Sequence, residues 1–141
     1  MKESGIINRD IAAAISKLGH GDLLMVADAG FAIPVGVDVV DISLSDNVPL
    51  VVDVLTELKK HFSVEKMYLS REVNEVNPSH SKKVSAAIGD HIEMELLEHN
   101  DLKALSRDVK AVIRTGDFTA YGNVILVSGA GDRWYLENNN K

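Results

Sequence analysis

The sequence predicts an α/β fold: a single three-layer domain over residues 1–141, in which helices flank a mostly parallel sheet. Short, continuous apolar runs are typical of strands that are covered on both faces. Between these runs, apolar residues recur every three or four positions, as they do on one face of an amphipathic helix. This alternation is the pattern of layered folds with a parallel sheet. A chain of 141 residues, 45% of them hydrophobic, has the size of one domain and can support a core.

The first predicted elements are a helix, a glycine-containing turn and a strand. In the helix, over residues 10–18, apolar side chains at positions 11, 14, 15 and 18 share one face, and Asn8 or Asp10 can cap its start. The turn at residues 19–22 places His20 between two glycines, which do not continue a helix cheaply. The apolar run at residues 23–27 is short and continuous, so we expect a strand that is buried on both faces.

The later elements follow from the same two periodicities and from β-branched composition. Pro49 favours the first turn of a helix, and the alternation of apolar and polar residues from position 91 indicates a half-buried strand. In order, we expect a strand at 37–44, a helix from 49, a strand at 64–69, a helix at 81–88, a strand at 91–97, a helix at 100–106, and strands at 109–114 and 123–127. Residues 130–141 are a possible C-terminal extension, whose polar end at 137–141 we expect to be mobile.

Composition and charge exclude several classes of function. Because 21 acidic residues outnumber 15 basic ones, for a net charge of −6, nucleic acid is not an expected partner. No apolar run approaches the ~20 residues that span a membrane, and the first nine residues lack the apolar stretch of a signal peptide. The absence of cysteine excludes disulfides, thiolate nucleophiles and the usual structural zinc sites, and it is compatible with a reducing compartment. We therefore expect a cytoplasmic protein.

His20 and Asp28 stand near the two ends of the first predicted strand. In open parallel sheets, ligands bind beyond the carboxyl ends of the strands, which is where Asp28 lies. A five-residue strand is roughly 17 Å long, so spacing alone does not bring the imidazole and the carboxylate together. Each residue also has an ordinary structural interpretation, His20 as an exposed or capping residue and Asp28 as part of an Asx turn.

Four further polar residues lie in two segments of the C-terminal half. His99 and Lys103 are four positions apart and so share one face of a helix, where they either bind one anionic or polyhydroxyl ligand or are simply solvated. Tyr121 and Asn123 flank Gly122, and a phenol and an amide are groups that match sugar hydroxyls, although Tyr-Gly-Asn is also ordinary β-turn chemistry. The five histidines show no metal-ligand spacing, so we expect no metal site.

The order and spacing of these segments resemble the D-ribose pyranase family, which is related to the L-fucose mutarotases. The resemblance runs from about residue 8 to residue 129, and it rests on the joint spacing rather than on any single motif. The segments that carry it are, in chain order, Gly19-His20-Gly21-Asp22, Asp28-Ala29-Gly30-Phe31-Ala32-Ile33-Pro34, Asn77-Pro78, His99 with Lys103, Ile113-Arg114-Thr115-Gly116-Asp117 and Tyr121-Gly122-Asn123.

The resemblance implies an isomerase that interconverts the pyranose and furanose forms, and the anomers, of D-ribose without a metal or an organic cofactor. It also implies ring-shaped homo-oligomers, often stacked as decamers, with sites built across subunit contacts. An imidazole suits this chemistry because it titrates near neutral pH and can therefore both give and take a proton. By resemblance, the acid/base residue is His20, and the residues that bind the sugar are Asp28, His99, Lys103, Tyr121 and Asn123.

Two other functions stay open at this point. Gly122 favours the fucose branch, so exchange of anomers on L-fucose or another aldose is one alternative, whereas the pairs Asn77-Pro78 and Ile33-Pro34 favour the ribose branch. A non-catalytic sugar-binding protein of a sugar uptake system is the other alternative. The chain also continues beyond residue 129 with an aromatic pair, Trp134 and Tyr135, which forms either an interface anchor or a loosely packed tail.

Overall fold

The computed structural model describes residues 1–137, and within that range it contains six strands, five α-helices and one short 3-10 helix. The strands are β1 (Leu23–Ala27), β2 (Asp38–Asp41), β3 (Val64–Ser70), β4 (Glu93–Leu97), β5 (Ala111–Arg114) and β6 (Val124–Ser128). The helices are α1 (Arg9–Ser16), α2 (Val51–Lys59), α3 (Arg71–Val76), α4 (Pro78–Ile88) and α5 (His99–Leu105), with the 3-10 helix at Ser106–Asp108. Apart from Glu137, the predicted mobile end of the chain lies outside the described residues.

The six strands form one sheet in the order β2-β5-β1-β6-β3-β4. Five strands run parallel to one another, and β6 runs antiparallel to both of its neighbours, β1 and β3. The predicted mostly parallel sheet is therefore confirmed. The direction of β6 was not predicted, and its cause is the connection before it. Residues 115–123 contain no helix that could carry the chain back across the sheet, as a parallel crossover requires.

Helices cover the two faces of the sheet, which makes three layers. Along β1 the side chains alternate: Leu24 and Val26 pack into the core beneath α1, α2 and α4, whereas Met25 and Ala27 pack into the core beneath α5. All four are fully buried, as expected for a strand covered on both faces. Each large side chain buried in this way contributes about 1.5–3 kcal/mol to folding.

The helix boundaries follow local hydrogen bonds that the periodicity only partly shows. Asn8 caps α1, because its side-chain oxygen accepts the backbone N–H groups of Asp10 and Ile11, each at 3.0 Å. The helix predicted from Pro49 begins at Val51, whose N–H donates to the carboxylate of Asp117 at 2.9 Å. That capping oxygen is 66 residues away in the sequence, so no local pattern could reveal it.

Three elements differ clearly from the predicted ones. Helix α3 was not predicted, because six residues are too few to display a helical period. Helix α4 begins at Pro78, three residues before the predicted start, since proline is well suited to the first helical position. Strand β2 covers only half of the predicted range of 37–44 and lies at the edge of the sheet.

Candidate functional site

A pocket of about 360 Å³ lies beyond the carboxyl end of β1, between the start of α5 and the connection from β5 to β6. We call it the β1 pocket. Five of the six predicted site residues are among those that line it. The lining residues are Asp28, Gly30, Phe31, Ala32, His99, Lys103, Ala120, Tyr121 and Asn123. A pocket of this volume, with several convergent polar groups, fits a small polar ligand.

Two other cavities can be compared with the β1 pocket as candidate sites. A cleft of about 460 Å³ adjoins it, because Asp28, Gly30 and Ala120 line both. A cavity of about 500 Å³ lies elsewhere, beneath the N-terminal segment, and is lined mainly by apolar side chains such as Ile6 and Leu58. This cavity has more volume, but its polar side chains, Asn8, Asp53 and Glu57, are engaged in helix caps or an ion pair. The β1 pocket is therefore the better candidate for polar chemistry.

Asp28 lies directly after β1 and is held at the wall of the pocket. Its backbone N–H donates to Oδ1 of Asn123 at 2.8 Å, and its own Oδ1 accepts the N–H of Gly30 at 3.0 Å. The residue is only 9% exposed, and this burial raises the pKa of the Asp28 carboxyl above its ordinary value of 3.8. Hydrogen bonds from the backbone amides of Gly30 and Gly122 partly offset the effect of burial on that pKa. Asp28 is therefore a preorganised hydrogen-bonding group with little contact to water.

His99 is the first residue of α5 and presents a ring nitrogen without a partner. Its backbone N–H donates to the carboxylate of Glu72 at 2.8 Å, which fixes the start of the helix. The ring makes edge contacts with Tyr121, at 5.0 Å between centroids, and with Phe31, at 6.3 Å. Its Nδ1 is buried and has no hydrogen-bond partner among the described residues. Because such a group costs about 1–3 kcal/mol when unpaired, Nδ1 indicates a site where a ligand group or a water completes the hydrogen bond.

Tyr121 and Asn123 reach the pocket from a tightly held loop. Tyr121 has a φ of 60°, in the left-handed region that few non-glycine residues adopt. Nε2 of His80 lies 2.9 Å from the carbonyl oxygen of Gly122 and so anchors the loop from below. A Cβ on Gly122 would lie 2.9 Å from the carbonyl oxygen of Thr119, so this position requires glycine. The segment is thus both a turn and part of the pocket wall, and the two interpretations of Tyr-Gly-Asn are compatible.

Buried and exposed side chains contribute differently to the pocket. Asn123 is 1% exposed, and its Oδ1 accepts the backbone N–H of Asp28, so it fixes the backbone that carries the carboxylate. Lys103 lies one turn after His99 on α5, and its exposed side chain brings a positive charge to the rim. His80 was not singled out from the sequence. Its position on α4, just after the Asn77-Pro78 pair, is the feature of the sequence that could have identified it.

Arg114 and Asp117, which line the adjoining cleft, make structural hydrogen bonds. The guanidinium of Arg114 donates to the carbonyl oxygen of Ala29 at 2.9 Å and to Asp41 at 3.0 Å. Hydrogen bonds from Ser43, together with Arg114, lower the pKa of the Asp41 carboxyl below its ordinary value. Asp117 caps α2 as described above. These contacts join the loops after β1, β2 and β5 into one frame beneath the pocket.

His20 lies at the opposite end of β1 from the other five predicted site residues. Its side chain is 65% exposed, and its Nε2 lies 3.0 Å from Oε2 of Glu65. The strand between His20 and Asp28 is roughly 17 Å long, so one chain does not bring the two side chains together. Glu65, the partner of His20, was not identified from the sequence, because it lies 45 positions away in an otherwise ordinary strand segment.

Two further findings concern the described part of the chain. Within residues 1–137, no group of three or more histidine, aspartate or glutamate side chains is arranged to hold a metal ion. None of the helices in that range has the length and apolar content needed to cross a membrane.

These features define a small α/β protein with a polar pocket at the carboxyl end of its central strands. The model of the RbsD / FucU transport protein family matches residues 1–131, and the chain belongs to that family. The D-ribose pyranase of Streptococcus uberis is 43% identical over 129 residues, which cover 92% of this chain and 98% of that protein. The D-ribose pyranase of Halalkalibacterium halodurans is also 43% identical, with the same coverage.

Solved structures agree with this assignment. RbsD from Bacillus subtilis in complex with D-ribose is 38% identical and superposes with a TM-score of 0.88, covering 93% of this chain and 99% of that one. The fucose mutarotase from Streptococcus pneumoniae in complex with L-fucose is 17% identical, with a TM-score of 0.70, covering 89% of this chain and 94% of that one. At that identity, the second similarity establishes a shared fold.

Proposed function

We propose that this protein is a D-ribose pyranase, an isomerase that interconverts the pyranose and furanose forms of D-ribose and exchanges their anomers. The observation that carries the proposal is the β1 pocket, in which buried Asp28 and the unpartnered Nδ1 of His99 face a space of monosaccharide size. The D-ribose pyranases that match over nearly their whole length, and the similar structure that holds D-ribose, support ribose as the sugar.

The chemistry requires two proton movements around the anomeric carbon. In ring opening, the bond between that carbon and the ring oxygen breaks, the ring oxygen gains a proton, and the anomeric hydroxyl loses one to give the aldehyde. Closure by a different hydroxyl reverses both movements and yields the other ring size. An imidazole serves in both directions near neutral pH, and we assign this acid/base role to His20. Because the uncatalysed reaction already occurs in water, one positioned acid/base group is sufficient.

The other five residues hold the sugar. Asp28 accepts hydrogen bonds from sugar hydroxyls, and His99 uses its buried Nδ1 for a further hydroxyl. Lys103 and the phenol of Tyr121 donate at the rim of the pocket, while Asn123 fixes the orientation of Asp28. The rings of Tyr121 and Phe31, which line the pocket, supply apolar contact for the carbon skeleton.

For His20 to reach the sugar, a second copy of the chain must supply it. The exposed side chain of His20 at one end of the strands, and the pocket at the other end, are complementary halves of such a site. We therefore propose a ring-shaped homo-oligomer, stacked as a decamer, in which each pocket receives His20 from its neighbour. The exposed apolar side chain of Phe118, in the cleft that adjoins the pocket, supports a protein contact there. We also propose that the protein acts in the cytoplasm, which is compatible with its lack of cysteine.

The test is NMR saturation transfer between the pyranose and furanose signals of D-ribose. The purified protein is expected to raise the exchange rate well above the rate in buffer, and His20→Ala is expected to abolish the increase. Exchange at the buffer rate with the wild-type protein would refute catalysis. Ribose binding without exchange would instead favour the non-catalytic sugar-binding protein.

A second candidate sugar is L-fucose, which Gly122 favours. Running the same NMR measurement over a panel of aldoses separates the two, because the natural substrate is expected to show the fastest exchange. Faster exchange of L-fucose anomers than of D-ribose forms would move the assignment to a fucose mutarotase with the same acid/base residue.

A further inference from the structure

Glu65, the residue that contacts His20, occupies an irregular position in the sheet. Along β3 and β6, Val64 faces Ser128 whereas Lys66 faces Val127, so Glu65 is an extra residue between two pairs. Such a β-bulge reorients the side chain that it carries, and bulges occur frequently beside active sites. Here the bulge accompanies a carboxylate whose Oε2 lies 3.0 Å from Nε2 of His20.

The end of β6 holds the turn that carries His20. The N–H of Gly21 donates to the carbonyl oxygen of Ser128 at 2.7 Å, and the N–H of Ser128 donates to the carbonyl oxygen of Asp22 at 2.8 Å. The carboxylate of Asp22 also accepts the N–H of Gly19 at 2.7 Å, which closes the turn around His20. The backbone on both sides of the imidazole is thereby fixed to the sheet.

The same end of β6 also holds Glu65. The N–H of Gly129 donates to the carbonyl oxygen of Ser63 at 3.0 Å, beside the bulge. A Cβ on Gly129 would lie 2.7 Å from Cβ of Glu65 and 2.9 Å from its Oε2, so only glycine lets the two backbones approach this closely. Both members of the pair are therefore aligned by Ser128, the last residue of β6, and by Gly129, which follows it.

We propose that Glu65 is a positioning residue for His20. Its carboxylate accepts a hydrogen bond from Nε2–H of the neutral imidazole, which holds that tautomer and leaves Nδ1 as the nitrogen that exchanges a proton with the sugar. The proposal rests on the proposed function, in which His20 is the acid/base residue. It also explains why a contact with side chains 65% and 44% exposed is supported by so much backbone order. An exposed ion pair contributes little to stability, so we infer that this contact serves to orient the imidazole of His20.

Two substitutions separate orientation from folding. Glu65→Leu keeps a side chain of similar bulk and removes the acceptor, whereas Glu65→Gln keeps the length of the side chain and a neutral acceptor oxygen. Because a mispositioned imidazole affects the proton transfer more than sugar binding, kcat of Glu65→Leu is expected to fall about tenfold or more, with KM within about twofold. Glu65→Gln is expected to retain an intermediate kcat. The matched control is Glu57→Leu, since Glu57 also lies near a histidine, 3.9 Å from Nε2 of His61, outside the site.

A spectroscopic measurement reports on the contact without activity. In histidine labelled with ¹⁵N, the imidazole signals of His20 are assigned by their absence from His20→Ala, and magic-angle spinning removes the size limit. The wild type is expected to show Nε2–H alone for the neutral ring, and Glu65→Leu to add an Nδ1–H population. Two results would overturn the role of Glu65. One is equal tautomer populations in the two proteins, and the other is a kcat of Glu65→Leu equal to that of an active wild type. A wild type without exchange activity would overturn the proposed function instead, because the tautomer result does not depend on turnover.

Discussion

Asp28 and His99 each bury a polar group at a cost to folding. Asp28 is a carboxyl group in a place that water hardly reaches, and His99 buries a ring nitrogen without a partner among the described residues. Natural proteins tolerate such groups mainly at functional sites, where the cost is offset elsewhere in the fold. The two side chains line the same pocket from different elements, and each leads to a separate prediction.

The first prediction concerns the pH dependence of stability at Asp28. Because burial raises the pKa of this carboxyl above 3.8, the folded state binds the proton more tightly than the unfolded state does. The raised pKa of Asp28 therefore stabilises the folded state at low pH. This stabilisation is lost as the pH rises from 3.8 through the folded-state pKa. Asp28→Asn keeps an oxygen for the N–H of Gly30 and removes the charge. It is expected to unfold at a higher urea concentration at pH 7, with a gain that shrinks toward pH 3.8.

Chemical denaturation of both proteins between pH 3 and pH 8 measures this difference. Asp41→Asn is the control, since hydrogen bonds from Ser43 and the contact with Arg114 lower the pKa of the Asp41 carboxyl, and its charge is favourable at neutral pH. That variant is expected to lose stability at pH 7. A loss of stability in Asp28→Asn at pH 7 would contradict the assigned effect of burial.

The second prediction separates stability from binding at His99. Phenylalanine keeps the ring contacts with Tyr121 and Phe31 and removes the unpaired nitrogen. His99→Phe is expected to melt at the same temperature as the wild type or higher, while its affinity for D-ribose falls about 5–10-fold through the loss of one hydrogen bond. Thermal unfolding and a calorimetric ribose titration check the two halves. Unchanged affinity would exclude Nδ1 as a ligand contact.

Among the elements, the loop between β5 and β6 shows most clearly what sequence could and could not predict. Turn chemistry at Tyr121-Gly122-Asn123 was visible, and so was the strand at 23–27, whose predicted and observed bounds coincide. The anchoring of the loop by His80, and the capping of α2 by Asp117, join residues more than 40 positions apart. Local periodicity does not contain such contacts, nor does it contain the order of strands that brings Asp28, His99 and Asn123 together. The grouping of these three residues was predicted from the resemblance of the ordered motifs to the D-ribose pyranase family.

The third prediction tests the rigidity of this loop. In Gly122→Ala, the added Cβ would approach the carbonyl oxygen of Thr119 to 2.9 Å and Nε2 of His80 to 3.3 Å, so the loop must shift. Because Tyr121 and Asn123 move with it, KM for ribose is expected to rise about tenfold, while the far-UV circular dichroism stays as in the wild type. An unchanged KM would show that the pocket tolerates displacement of the loop.

At the scale of the whole molecule, the proposed site requires an assembly, because it combines His20 of one copy with the β1 pocket of another. A contact that joins the His20 end of the strands to the pocket end in a neighbour uses two different surfaces. Such head-to-tail contacts form a ring when the rotation between copies closes, and an open filament when it does not. The fourth prediction is a mass in solution far above the 15.4 kDa of one chain. Light scattering coupled to size exclusion measures it. A monomer that is fully active in exchange would be incompatible with a site shared between copies.

The fifth prediction is that two inactive variants restore each other. His20→Ala keeps an intact pocket and Asp28→Ala keeps an intact imidazole, so a mixed ring contains sites in which both functional halves meet. After co-expression at equal amounts, roughly a quarter of the sites in a head-to-tail ring combine the two intact halves, and exchange activity is expected to recover to about that fraction. Wild type co-expressed with the double variant is the control. In this control mixture, roughly a quarter of the sites stay intact if each site is shared between two chains, and about half stay intact if each chain is self-sufficient. No recovery in the first mixture, with about half of the activity kept in the control, would contradict a site shared between copies.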